Sequence, residues 1–131
     1  MSIDSKIFDK IKTDSDIITI FGSGDDMRIY PRVAPAGITG TYSVYFTVTR
    51  ELHYNYQGRS DIERQFIQFS VYGESLYGSG GVRAGADAIL TAIEGLNDSD
   101  IQAGFHESEQ LLYEEETKMY HIALTVAVWG N

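Results

Sequence analysis

Imidazole binds transition metals and titrates near neutral pH, so His53, His106 and His121 are the first residues to test for chemistry. No two of them stand at i, i+4 on a helix. The chain has no cysteine to complete a zinc set, to act as a thiol nucleophile or to build a disulfide framework. Isolated histidines in this pattern read as structural or solvent-facing. Asn97-Asp98-Ser99-Asp100 comes nearest to a calcium loop. Counted from Asn97, it lacks the turn glycine at the sixth position and the Glu at the twelfth, so helix termination explains it better. Asp14-Ser15-Asp16 reads in the same way as a helix start.

Gly73 to Gly81 leads from a strand into a helix, which is where a phosphate cradle would lie. It matches neither the Gly-x-x-x-x-Gly-Lys-Ser/Thr pattern nor Gly-x-Gly-x-x-Gly opening a parallel βαβ unit. It carries Glu74 and no lysine, so it reads as a flexible joint. Gly22-Ser23-Gly24 is a two-glycine turn with no stronger claim. No Gly-x-Ser-x-Gly elbow presents a nucleophile. Glu114-Glu115-Glu116 falls at a hairpin tip, where a charge run is a solvated face rather than paired acid and base. The expectation is therefore no catalytic, cofactor-binding or metal-binding residue, no cofactor, and no enzymatic activity.

The elements around these residues are readable from periodicity. Residues 4–12 form a short helix with Ile7, Phe8 and Ile11 on one stripe. Residues 14–21 form one or two further helical turns ended by glycine, although three Ile in four residues also suit a strand. Met27 to Pro31 is a short edge strand terminated by proline, and 32–40 is loop. A long strand follows at 41–54, with Val44, Phe46 and Val48 on one face and Tyr45, Thr47 and Thr49 on the other. Gln57-Gly58-Arg59-Ser60 is the turn. The next strand, 61–73, places Ile67, Phe69 and Val71 opposite Gln68, Ser70 and Tyr72. The clearest helix is 82–95, with Val82, Ala86, Ile89, Leu90, Ile93 and Leu96 in helical spacing. Its small residues Ala84, Gly85, Ala88 and Ala92 let it lie close on a sheet. The last third is a hairpin, Ile101 to Tyr113 and Lys118 to Trp129. Its second strand sets Tyr120, Ile122, Leu124, Val126 and Val128 on one face. Met119, His121, Ala123, Thr125, Ala127 and Trp129 lie on the other. Apolar residues on both sides mark a central strand or a second buried surface.

The predicted fold class is α+β. An antiparallel sheet of about four long strands, in two hairpins, carries a helix on one face and a short helix at the N-terminus. The 131 residues fit one domain, 1–131, large enough to fold without metal or disulfide. The formal net charge is −9, from 19 acidic against 10 basic residues. Scattered cations argue against a phosphate-binding surface and suit a passage that DNA traverses without adhering. The first residues have neither a basic nor an apolar signal region, and no apolar run approaches the ~20 residues that span a bilayer. Tyr42, Tyr45, Tyr54, Tyr56, Tyr72 and Tyr113 are more aromatic surface than one helix-covered face needs. The surplus predicts an exposed patch, and the long hairpins offer free edges for strand addition.

Arg28-Ile29-Tyr30-Pro31, the strand phrases Tyr42 to Val48 and Gln65 to Gly73, and the helix with Ala86-Asp87-Ala88-Ile89-Leu90 follow in a telling order. Over about 5–129 the chain resembles the tail completion family of siphophages, also called tail terminator or tail-to-head joining proteins. The resemblance implies a virion structural protein that closes the head-proximal end of the tail tube as a ring, commonly a homo-hexamer. Its implied partners are other copies of itself, the tail tube protein and the head–tail connector or stopper. It also implies a place in the virion tail or neck, assembled in the bacterial host cytoplasm, with no membrane partner. The alternatives are a head-side stopper or minor tail protein, a small ligand-binding or enzymatic α+β domain, and a host-derived adaptor that pairs by its sheet edge.

Overall fold

The computed structural model describes residues 3–55 and 58–130, with the side chains of 53–62 outside the description. Two helices open the chain, α1 (Ile3–Ile11) and α2 (Ser15–Phe21). Asp14 caps α2 by accepting from the N–H groups of Asp16 and Ile17, which settles the helix-or-strand ambiguity of the Ile-rich segment. A single 3₁₀ turn, Gly24–Asp26, leads into β1 (Ile29–Pro31). Then come β2 (Tyr42–Asn55), β3 (Gly58–Gly73), α3 (Val82–Glu94), β4 (Ile101–Glu114) and β5 (Met119–Gly130).

The sheet has five strands in the order β1-β2-β3-β5-β4, and it is mixed rather than wholly antiparallel. This corrects the expected four antiparallel strands. β1 pairs parallel to β2, with Ile29, Tyr30 and Pro31 beside Ser43, Val44 and Tyr45. The loop between them runs the chain back before β2 begins, so both strands point the same way. The strand ends at Pro31, on the edge where a residue with no N–H is tolerated, and the N–H of Arg32 still donates to Tyr45 O. β3 begins at Gly58, earlier than expected, so Gly58-Arg59-Ser60 is strand; Gln57 and Tyr56 lie outside the described residues.

The core lies on one side of the sheet. The Ile3, Ile7 and Ile11 stripe of α1 is buried, and Phe8 stacks on Tyr45 at 5.5 Å between ring centroids. α3 buries Val82, Gly85, Ala86, Ile89 and Ile93 over Ile67, Phe69, Val71 and the even-numbered residues of β5. Ile122, Leu124, Val126 and Val128 are fully buried, as the alternation of the last strand predicts. In β2 the register overrules simple hydrophobic alternation. Tyr45 stands opposite Phe69, so Ser43, Tyr45 and Thr47 face the helices. Val44, Phe46 and Val48 turn to the face that carries no helix.

Salt links from Lys6 and Lys10 tie α1 to the residues before β4. Lys10 Nζ lies 2.6 Å from Asp98 Oδ2 and 3.6 Å from Asp100. The Asp98 carboxylate also accepts from the N–H groups of Asp100 and Ile101. The Lys10 bond first, and the two backbone N–H groups after it, hold the Asp98 pKa down at about 2, below its ordinary 3.8. A carboxyl depressed on folding stabilises fully above its unfolded pKa and loses that contribution as pH falls through the folded one. The link is therefore complete above about pH 4 and fades toward pH 2. In an NMR titration the Asp98 carboxyl should show its midpoint near 2, and Lys10→Gln should move that midpoint upward. A midpoint at the ordinary carboxylate value in the unaltered protein would refute the link.

Candidate interaction surface at a free sheet edge

The residues with catalytic or ligating potential are kept apart. His106 lies on β4 beside Glu109, with Nε2 3.6 Å from Oε1. His121 lies on β5, on the opposite face of the sheet, stacked on Tyr72 at 4.2 Å. Burial pushes the His121 pKa down, and its Nε2 meets no hydrogen-bond partner among the described residues. The His53 side chain lies outside the described residues. Among the described residues no three His, Asp or Glu side chains stand together as a metal set.

The glycine-rich connection before α3 is a pinned turn where the composition predicted a loose joint. The N–H of Val82 donates to Ser75 O, that of Arg83 to Leu76 O and that of Gly85 to Gly81 O. Thr41 Oγ1 donates to Gly80 O at 2.6 Å. The first N–H groups of α3 are thus spent on the loop's own carbonyls, leaving little with which to cradle a phosphate. Asp98 is likewise occupied as a turn-former and ion-pair partner. Glu114, Glu115 and Glu116 are exposed at the β4–β5 tip, where the sequence places them.

The surface that stands out is β4. It is the last strand in the sheet and pairs on one side only. Its first residues lie under α3, where Gly104 meets Ile93, but from Phe105 onward almost every side chain is exposed on both faces. Phe105, Leu111, Leu112 and Tyr113 are 54%, 48%, 41% and 49% exposed. A long edge strand with unpaired backbone groups and uncovered apolar side chains is a template for pairing with another chain. Arg83 reaches from α3 to Glu109 at 2.6 Å and holds the middle of the strand to the body. The bond to Glu109 in particular pushes the Arg83 pKa up.

The helix-free face of the sheet adds a second apolar region. Tyr42 stacks on Tyr72 at 5.2 Å, and the row continues to His121. Arg64 lies over the rings of Phe66 and Trp129 at 4.5 and 5.7 Å. A shallow pocket of about 300 Å³ opens between this face and the loop after β1, lined by residues that include Arg32, Val33 and Tyr72. Of the tyrosines singled out in the sequence, Tyr45 is core, Tyr42 and Tyr72 form the stack, and Tyr113 is exposed beside Tyr120. The side chains of Tyr54 and Tyr56 lie outside the described residues. Sequence reasoning did not find Val44 and Phe46 on this face; the signal lay in Tyr45 opposite Phe69, a pairing no single strand reveals.

The model of a family described as tail completion protein gp17 matches residues 5–130. A solved chain from the virion of a native gene transfer agent particle shares the fold, with a TM-score of 0.70 and 15% identity over 95% of this chain and 90% of that one. No curated protein matches.

Proposed function

Because this chain belongs to the tail completion protein gp17 family, we propose that it closes the head-proximal end of a phage tail tube as a homo-oligomeric ring, most simply a hexamer. Membership makes it a non-enzymatic structural protein of the phage virion, working with other tail components near the joint of tail and head. The finer reading is that its ring seats on the tail tube protein on one side and receives the head connector or stopper on the other. It assembles in the host cytoplasm and holds no metal or cofactor. The observation that carries the ring is the β4 edge, unpaired along its length and apolar where α3 ends. Self-association through such an edge uses backbone groups that a lone subunit leaves to water. The net charge of −9 suits a lumen through which DNA slides without sticking.

The test is reconstitution. Purified protein added to tail tubes that lack it should form a ring at one end of each tube and restore joining to heads. Tubes that stay uncapped, with heads that fail to attach under conditions where native virions assemble, would overturn the reading. Elemental analysis of the protein should find no stoichiometric transition metal.

A further inference from the structure

We infer that the ring is built by one specific joint: the outer edge of β4 in each subunit pairs antiparallel with the outer edge of β1 in the next. This rests on the ring reading above and names its interface. Registers run straight across the sheet. Pro31 lies level with Tyr45, Phe69, Leu124 and Glu109 in turn, and Ile29 with Ser43, Val71, Ile122 and Leu111. The stretch Ile29–Pro31 on one side of the subunit is thus level with 109–111 on the other. β4 also runs opposite to β1, because three antiparallel pairings and one parallel pairing separate them. A second copy moved sideways, with no step along the strands, brings the two edges together in antiparallel order. Such a head-to-tail contact makes a ring when the rotation between copies closes and a filament when it does not, and the tube end supplies the template that sets that rotation.

The side chains agree with that partner. In this register Arg32 comes opposite Ser108, between Glu107 and Glu109. Arg32 is exposed, is held at φ 67° as the chain turns out of β1, and makes no ion pair among the described residues. Val33, 77% exposed beside it, supplies apolar surface on the β1 side to meet that of β4. The symmetric alternative, β4 against β4, would bring two copies of a strand carrying Glu107, Glu109 and Glu114 together, with like charges crowded and no cation added. Pro31 and the short length of β1 limit the backbone bonds on that side, so the joint depends on its side chains and on the tube as template.

The natural absence of cysteine makes a direct test simple. Tyr30 and Gln110 come opposite one another, on the helix-free face, in the proposed register. Residues directly opposite in a non-hydrogen-bonded pair have Cβ atoms about 4.5–5.5 Å apart, within reach of a disulfide. The variant Tyr30→Cys with Gln110→Cys, loaded on tail tubes and oxidised, should give a ladder of covalent oligomers that ends at the ring. Neither single variant should crosslink. Crosslinking of Gln110→Cys to itself would establish the symmetric pairing and overturn the inference. Rings visible on the tubes with no covalent ladder would overturn it while leaving the ring intact; tubes left bare by the unaltered protein would overturn the ring itself. Charge exchange gives an independent reading. Arg32→Glu and Glu107→Lys should each weaken capping alone and restore it when mixed, since each then supplies the complement the other needs. Failure of the mixture to recover capping, with both variants folded, would also overturn the joint.

Discussion

Leu124→Asp should destabilise the protein by about 4 kcal/mol or more, enough to lower its melting temperature by roughly 12–20 °C at this size. Leu124 is fully buried in the middle of β5, between Phe69 on β3 and Glu109 on β4, and belongs to the cluster formed with α3. The substitution removes a packed side chain and leaves a carboxylate in an apolar layer, beside a Glu109 that already engages Arg83. The buried acid either stays ionised at great cost or takes up a proton, and both routes lower stability near neutral pH. Leu112→Asp is the matched control. It lies on the exposed part of β4, so its thermal melt should change little, although its effect on capping tubes should be large. A Leu124→Asp melt within a degree of the unaltered protein would refute the assignment of the core face.

Gly104→Val should cost about 2–3 kcal/mol by overpacking. A Cβ at Gly104 would lie 2.6 Å from Ile93 Cγ2 and 2.8 Å from the Ile93 carbonyl oxygen. A side chain could rotate away, but the carbonyl belongs to the last turn of α3, so the helix end itself must lift from the strand. Gly80→Ala gives the comparison, because a Cβ there meets nothing within 4 Å, and should be almost neutral in a denaturant melt. Equal midpoints for the two variants would mean that α3 does not press on β4 as described.

Much of this architecture is legible in the chain. Helical spacing places Val82, Ala86, Ile89 and Ile93 on one face of α3, and strict alternation marks Ile122 to Val128 as core. Both signals are local: each element carries its own period. Two features are not local. The parallel partner of Ile29–Pro31 depends on how the 32–40 loop returns, and three residues carry too little pattern to announce a direction. The turning of Tyr45, rather than Val44, toward the helices is fixed by Phe8 and Phe69, which stack on the Tyr45 ring from α1 and β3. Gly104 was passed over for a related reason: the close approach belongs to Ile93, distant in sequence, and a lone glycine in a strand gives no hint of its neighbour. The interaction surface was foreshadowed as a surplus of tyrosine and as free hairpin edges, with no strand singled out. Its actual position on β4 follows from strand order, which composition does not encode.

Strand order also decides how the chain finds this structure. β2 ends at Asn55 and β3 begins at Gly58, and β4 ends at Glu114 and β5 begins at Met119, so each hairpin pairs strands that are close in sequence and can zip locally. The seam between β3 and β5 is different: Ile67 must meet Val126 across a stretch that contains α3 and all of β4. Loop-closure entropy is therefore concentrated in one long-range contact, of the kind that slows folding. Until that seam closes, β5 has a bare edge on the side that will become the centre of the sheet. The nascent protein thus passes through a stage with more open edges than the finished subunit, and the order of closure bears on its yield during a burst of viral synthesis.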